Sequence, residues 1–370
     1  MKTGFYHDER CFWHGGGHYA LTVPVGGAVQ PPVAGGLPES PETKRRLVNL
    51  LQVSGLIDHL VTGTAPAADR AALERVHPAA YLDAFQAKSD AGGGELGLRT
   101  PFGPGGYDIA ALSAGLVTRA VADVLSGAVD TAYALSRPPG HHCLPDWPNG
   151  FCLLNNIAVA IESARAAGLA SRFAVVDWDV HHGNGTEAIF YDRADVLTIS
   201  LHQENNYPLD TGAAADRGSG AGLGRNINIP LPPGAGHAAY LRAMDRIVLP
   251  ALAGFRPDII VVACGFDASG VDPLSRMLAG SQTFRAMTAA LMGAAAELCG
   301  GRLALAHEGG YSEVHVPFCG LAVIEQLSGQ ATGIADPLRP RIDGQQPVAD
   351  VAAFHDARID ALAEAFANLP

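Results

Sequence analysis

The sequence predicts an α/β protein, a parallel sheet covered by helices on both faces, on three observations. Short apolar, β-branched runs, the signature of strands buried on both sides, recur at 131–136, 173–179, 196–202, 259–267 and 303–310. Helical patterns alternate with them, at 155–168, 238–253, 281–298 and 318–327. Each run also ends in polar, glycine-rich sequence: RPPGHH (137–142), DWDVHHGNG (177–185), SLHQ (200–203), GFDAS (265–269) and EGGY (308–311). In a parallel sheet five such ends converge on one edge, where open α/β sheets bind their ligands.

Taken in order, KTGFYH (2–7) reads as a first strand. The stretch 11–41 is rich in Gly and Pro and carries Trp13, His14 and His18; a loop of that length is usually functional. SPETKRRLVNLLQVSG (40–55) opens a helix, with Ser40 as cap, Pro41 in the first turn and Gly55 near the end. One helix is expected over about 70–88, a Gly/Pro loop over 91–106 and another helix over 107–126. NINIPL (226–231) adds a strand, and a Pro/Gly/Gln-rich piece after about 329 leads to an amphipathic helix near 348–368. One domain, 1–370, is the simplest division, with the motifs within about 1–330 and a tail over 331–370.

With 370 residues, 48% hydrophobic and only 17% charged, the chain can bury a large core. A net charge of −12 argues against nonspecific binding to nucleic-acid backbones. Cys11, Cys143, Cys152, Cys264, Cys299 and Cys319 form no C-x-x-C pair and read as buried free thiols of a reducing compartment. MKTGFYHDER has no apolar signal-like core, and no run approaches the ~20 residues of a membrane span. The expectation is a soluble cytoplasmic protein with no nucleic-acid or membrane partner; homo-oligomerisation is left open.

The stretch FAVVDWDVHHGN (173–184) is the chemical centre. Side chains alternate across a strand, so Asp177, Asp179 and His181 project to one side. Two carboxylates and an imidazole there form a cluster of metal-ligand type. A salt-bridged strand end before a glycine-rich turn is the plainer alternative. Asp267 alone would equally serve as a turn or capping residue, and Tyr311 as an ordinary buried tyrosine. His141 and His142, in tandem after Pro-Pro-Gly at a strand end, point to chemistry more than a lone histidine would.

In this order, RPPGHH, GFC (150–152), DWDVHHGNG, GFDAS with DPL (272–274), and EGGY resemble the zinc-dependent histone deacetylase family. Within it they resemble the class II-like bacterial deacetylases and amidohydrolases, relatives of the acetylpolyamine amidohydrolases. SPETKRR and PFCGLAVIEQLSG (317–329) fit the same branch. Each motif is weak alone; five in the right sequence are specific. The resemblance implies a single arginase-like α/β domain with an eight-stranded parallel sheet. It also implies one catalytic zinc on Asp179, His181 and Asp267, leaving a position for water and substrate.

The resemblance pairs His141 with Asp177 and His142 with residue 184, here Asn184, as in class II relatives. A carboxylate raises the basicity of an imidazole far more than an amide does. His141 is therefore expected to be cationic, and His142 neutral and able to take a proton from water. Tyr311 would donate to the substrate carbonyl, with Gly309 and Gly310 supplying loop mobility and backbone clearance. Phe151, beside Gly150, would wall a narrow tunnel, with Tyr207 of NNYPLD standing where relatives usually carry Phe. Gly310 is grouped with this substrate site. Backbone oxygens of Asp177, Asp179, His181 and Leu201, with the Ser200 hydroxyl, match a family potassium site, and His182 would have a supporting role. Relatives also grip the substrate backbone with a rim-loop Asp; 91–106 has none, only Glu95 and Arg99.

These residues imply a zinc-dependent amidohydrolase removing acetyl or another small acyl group from lysine side chains or small amines. Two alternatives stand beside it. A dinuclear manganese ureohydrolase of arginase or agmatinase type would need an Asp where Ser269 stands. A non-catalytic acyl-lysine binding protein would have no need of the tandem histidines.

Overall fold

The computed structural model describes residues 1–15, 19–29 and 36–367; His18 and position 368 of the expected last helix lie outside them. Eight strands form one sheet: β1 (Thr3–Tyr6), β2 (Val61–Gly63), β3 (Thr131–Ala134), β4 (Phe173–Asp177), β5 (Val196–Gln203), β6 (Asn226–Leu231), β7 (Ile259–Cys264) and β8 (Leu303–His307). Their spatial order is β6-β5-β4-β7-β8-β3-β1-β2, and every pairing is parallel. After β3 the chain crosses to β4, builds outward through β5 and β6, then returns to insert β7 and β8 into the gap. The five strands with polar C-terminal ends, β5, β4, β7, β8 and β3, are therefore contiguous, and their ends share one edge.

The helices are α1 (Glu42–Val53), α2 (Arg70–Glu74), α3 (Ala79–Asp90), α4 (Gly106–Leu125), α5 (Asn156–Ala166), α6 (Asn184–Phe190), α7 (His237–Ala243), α8 (Leu249–Phe255), α9 (Ser281–Cys299), α10 (Val316–Ser328), α11 (Arg339–Gly344) and α12 (Ala349–Ala367). Every residue of β7, IIVVAC, is buried, as a strand covered on both faces must be. A second apolar cluster, with Phe85 and Phe102 at 4.8 Å and Phe85 and Tyr107 at 5.2 Å between ring centres, anchors the 91–106 loop. Within that loop, Gly94–Glu95 pairs with Pro101–Phe102 as a small hairpin. The last helix, α12, packs on α7 and β6, and its Asp360 pairs with Arg242. No described helix is long and apolar enough to cross a membrane. All six cysteines are buried and free.

Several expected boundaries move, each for a local reason. The helix expected over 70–88 is two helices, because Pro78 has no N–H and stands extended at the start of α3. The one expected over 238–253 is interrupted by a π turn, Met244–Val248; Pro250 cannot continue the hydrogen-bond ladder, and the wider turn absorbs the gap. Ser40 does cap α1, its Oγ accepting from the N–H of Glu42 at 3.1 Å. The strands expected over 173–179, 259–267 and 303–310 stop at Asp177, Cys264 and His307. β2, α6 and α11 are too short for periodicity to reveal.

After β3, Arg137 of RPPGHH joins Lys44 of SPETKRR and Glu39 in a buried charge cluster that neither motif announces. The Arg137 guanidinium binds Glu39 Oε1 at 3.0 Å and the carbonyls of Cys11 and His14 at 2.9 and 2.8 Å. Lys44 Nζ reaches the same Glu39 Oε1 at 2.9 Å. Glu39, Lys44 and Arg137 are all buried.

Candidate metal centre

β4 ends at Asp177, so the alternation of a strand does not carry on to Asp179 and His181. Two side-chain turns do that work instead. Asp177 Oδ1 accepts from the N–H of Asp179 at 3.0 Å, and Asp179 Oδ1 from that of His181 at 2.9 Å. Asp267 arrives from the turn after the neighbouring β7, its Oδ1 accepting from the N–H of Val180 at 2.8 Å. Ligand atoms of Asp179, His181 and Asp267 all lie within 4.8 Å of one another, and all three residues are buried. His181 Nδ1 is 3.0 Å from Asp179 Oδ1 and 3.1 Å from Asp267 Oδ2. Asp177 stands apart from this group and faces His141.

The electrostatics of the cluster are unbalanced. Asp267 Oδ2 is buried without a well-aligned hydrogen bond, the kind of atom that calls for a cation. Burial, helped by the charge of Asp179, pushes Asp267 up to about 6. Burial also works against Asp179, but His141 and His181 outweigh it and hold that carboxyl below its usual range. Burial opposes the charged form of His181, yet Asp267 and Asp179 push it up to about 10.

The tandem histidines follow β3. Their turn is held from β8: Glu308 Oε2 accepts from the N–H groups of Gly140 and His141 at 2.6 and 3.1 Å. His141 Nδ1 is 2.9 Å from Asp177 Oδ2, and His142 Nδ1 is 2.8 Å from Asn184 Oδ1. An amide oxygen only accepts, so His142 Nδ1 carries the hydrogen and Nε2 keeps its lone pair. Burial would lower His141, but Asp179 and Asp177 push it up to about 10. Burial, then the charges of His141 and His181, hold His142 well below the usual histidine range.

Tyr311 follows β8 and lines the cleft, its backbone N–H donating to Asp272 Oδ2 at 2.7 Å. Of the glycines before it, Gly309 provides the backbone clearance expected there. Gly309 donates its N–H to Asp179 Oδ2 at 2.7 Å, and a Cβ there would stand 2.2 Å from Asp267 Oδ2 and 2.9 Å from Tyr311 Oη. Gly150, at φ 54°, is equally constrained: a Cβ would fall 2.3 Å from His142 Cδ2 and 2.8 Å from Tyr207 Cε1. Gly310, at φ 119°, lies between Phe266 and Val316 and does not line the cleft. The cleft, about 140 Å³, is lined by Phe151, Tyr207, His142, His181, Tyr311 and Arg99 among others.

Other expected residues take definite places. Ser200 lies opposite Asp177 in the β4–β5 register, its Oγ 3.0 Å from His202 Nδ1. Leu201 follows it on the same strand. His182 turns away to Thr211 at 3.0 Å and Glu187 at 3.1 Å. Ser269 Oγ also turns away, 2.7 Å from His315 Nδ1. Glu95 receives the Tyr19 hydroxyl at 2.8 Å and the N–H of Thr100 at 2.9 Å. Glu308 and Asp272 were missed as site residues, although both sit inside quoted motifs. Burial pushes Glu308 up to about 7, and its Oε1 has no hydrogen-bond partner among the described residues.

A parallel eight-stranded sheet with this cluster at its C-terminal edge defines an α/β protein of the deacetylase-like class. A family model described as "Histone deacetylase domain" matches residues 37–327. The chain is 58% identical over 369 residues to a "Histone deacetylase-like amidohydrolase" of Pseudomonas aeruginosa, covering 100% of this chain and 97% of that protein. It is 38% identical over 255 residues to a "Probable deacetylase" of Archaeoglobus fulgidus, covering 69% of this chain and 70% of that one. The crystal structure of the HDA15 HD domain superposes with a TM-score of 0.80 at 32% identity, covering 99% of both chains. The chain belongs to the histone deacetylase family.

Proposed function

We propose that this protein is a zinc-dependent amidohydrolase that removes acetyl or another small acyl group from lysine side chains or small amines. The observation that carries it is the buried Asp179, His181, Asp267 group opening onto a cleft that also holds His142 and Tyr311. The donor set suits a divalent cation: two carboxylates and one imidazole, with Asp267 Oδ2 otherwise unsatisfied. Bound there, zinc would polarise the acyl carbonyl and acidify the attacking water.

The chain's own groups do the rest. His142, with Nδ1 committed to Asn184, uses Nε2 to take the proton of the water and return it to the leaving amine. His141, backed by Asp177, stays cationic and steadies the negative charge that develops beside it. The Tyr311 hydroxyl donates to the carbonyl oxygen as charge builds there. Phe151 and Tyr207 accept the linear amine chain and limit access of bulk water. A potassium ion on the backbone oxygens of Asp177, Asp179, His181 and Leu201 and on Ser200 Oγ would offset the gathered carboxylate charge. A single ion is favoured over a dinuclear site because the Ser269 hydroxyl is engaged by His315. The whole chain, 1–370, acts as one catalytic domain, and its buried free thiols suit the cytoplasm.

Metal analysis combined with turnover of an acetyl-lysine reporter tests this. About one zinc per chain is expected, lost in Asp179→Ala together with activity. Two tightly bound manganese ions, or a fully zinc-loaded protein that turns over no acylated amine, would refute it.

A further inference from the structure

The rim of the cleft carries a cation held in an unusual way. The 97–100 segment pairs with the chain leading to Phe151: the N–H of Gly150 donates to the carbonyl of Leu98 at 3.0 Å, and that of Phe151 to the carbonyl of Arg99 at 3.0 Å. Arg99 and Phe151 both lie in the left-handed region, at φ 60° and 70°, a conformation that non-glycine residues keep only where the surroundings impose it. The Arg99 guanidinium lies 5.2 Å from the centre of the Tyr207 ring. Its backbone is thus tied to one cleft residue while its side chain rests on another.

Among the described residues no carboxylate forms an ion pair with Arg99, whereas Glu95 of the same loop is engaged by Tyr19 and Thr100. None of the described residues lining the cleft is Asp or Glu. Residues 16–18 and 30–35, outside the described residues, contain no carboxylate in their sequence. On a chain of net charge −12, an unpaired guanidinium at this mouth selects for something.

We infer that Arg99 makes the enzyme prefer acylated amines whose far end carries a carboxylate, and disfavour those that end in a second ammonium. This rests on the deacylase reading above. A chain threaded past Phe151 and Tyr207 presents its far end to Arg99, whose planar fork can take a carboxylate through two N–H groups while its face stays on the ring. The site is half-exposed, so screening limits the gain.

Three substrates of matched length test it on the zinc-loaded enzyme: Nε-acetyl-lysine blocked at Nα with a free α-carboxylate, its α-carboxamide, and acetylated cadaverine. The expected order of kcat/KM is carboxylate, carboxamide, ammonium. The first two should differ by about three- to tenfold, mainly in KM, and less at high salt. In Arg99→Gln the carboxylate-to-carboxamide ratio should fall to within about twofold, while Arg99→Lys keeps part of it. An unchanged ratio in Arg99→Gln, or a wild-type enzyme that prefers the ammonium substrate, would overturn the inference. The neutral carboxamide separates the two levels: its turnover without charge selectivity sinks the role of Arg99 alone, and its failure to react sinks the deacylase reading beneath it.

Discussion

Two buried ionic clusters sit near the same sheet edge and are built on opposite principles. In Glu39, Lys44 and Arg137 two cations face one carboxylate, and backbone carbonyls of Cys11 and His14 take the surplus N–H groups. In Asp179, His181 and Asp267 two carboxylates face one imidazole, and Asp267 Oδ2 is left without a well-aligned hydrogen bond. Both bury charge at a desolvation cost of several kcal/mol per ion. The first has its charged groups paired within the fold; the second fits a cation that the protein itself does not supply. Buried charge alone therefore does not mark a site, whereas a buried charged atom left without a well-aligned hydrogen bond points to one.

The widest test of that contrast is Asp267→Asn. Metal binding should be lost and activity should fall to background, while the thermal midpoint of the chelated protein holds or rises, since removing this charge relieves Asp179. Calorimetry on chelated samples with metal analysis checks both. A midpoint that drops as far as in a Glu39 variant would erase the distinction between the clusters.

The histidines come next. His142→Ala should lower kcat by ~10²–10⁴, the range of a general base, and His141→Ala should retain more activity. Residual rates at saturating zinc in the reverse order would mean that the proton moves through the other ring. Tyr311→Phe should lower kcat by ~10²–10³ with a much smaller change in KM. An unchanged kcat would mean that its hydroxyl is not the carbonyl donor.

In the paired cluster, Glu39→Ala should cost about 3–5 kcal/mol of stability, because two cations are left buried and unpaired. Chemical denaturation measures it. The pH dependence has a definite sign. Burial would raise Glu39, but Arg137 and Lys44 outweigh it and hold it at about 2 in the folded chain, against roughly 4.3 in an unfolded one. Its stabilisation is thus complete above the unfolded value and fades as pH falls towards the folded one. Glu39→Gln should flatten that acid-side slope; a slope identical to wild type would assign acid lability to other carboxylates.

What was legible in the sequence follows from distance along the chain. Each strand end lies next to its motif, so the five converging ends and the Asp177, Asp179, His181 cluster could be read locally, whereas Asp267, 87 positions beyond Val180, joined the group only through the family resemblance. Partners far apart could not: Glu39 is 98 positions from Arg137, and Glu308 is 168 from Gly140. Alternation along a strand put Asp179 and His181 together for a reason the structure replaces, since β4 ends at Asp177 and side-chain turns carry the geometry onward. Backbone clearance at the glycines of EGGY is legible in the motif, but nothing local reveals that it is Asp267 and Asp179 that crowd Gly309.

The smallest expected effect is Tyr207→Phe, which asks whether a polar group in the cleft wall belongs with the scaffold or with the chemistry. The Tyr207 hydroxyl donates to Asn149 Oδ1 at 3.3 Å, a long bond, and Asn149 Nδ2 in turn donates to the carbonyl of His142 at 2.6 Å. The ring itself stands 5.0 Å from that of His142, edge to face, and beneath Arg99. Phenylalanine keeps the ring, its apolar wall and its attraction for the guanidinium, and removes only the hydroxyl. Loss of one neutral hydrogen bond should cost about 0.5–1.5 kcal/mol of stability, and kcat/KM on a neutral acetyl-lysine reporter should change by less than about threefold. A fall in kcat comparable to that of Tyr311→Phe would instead make Tyr207, through Asn149, part of what holds His142 in register. Asn149→Ala should then reproduce that fall, whereas a hydroxyl that merely closes the wall predicts no such match.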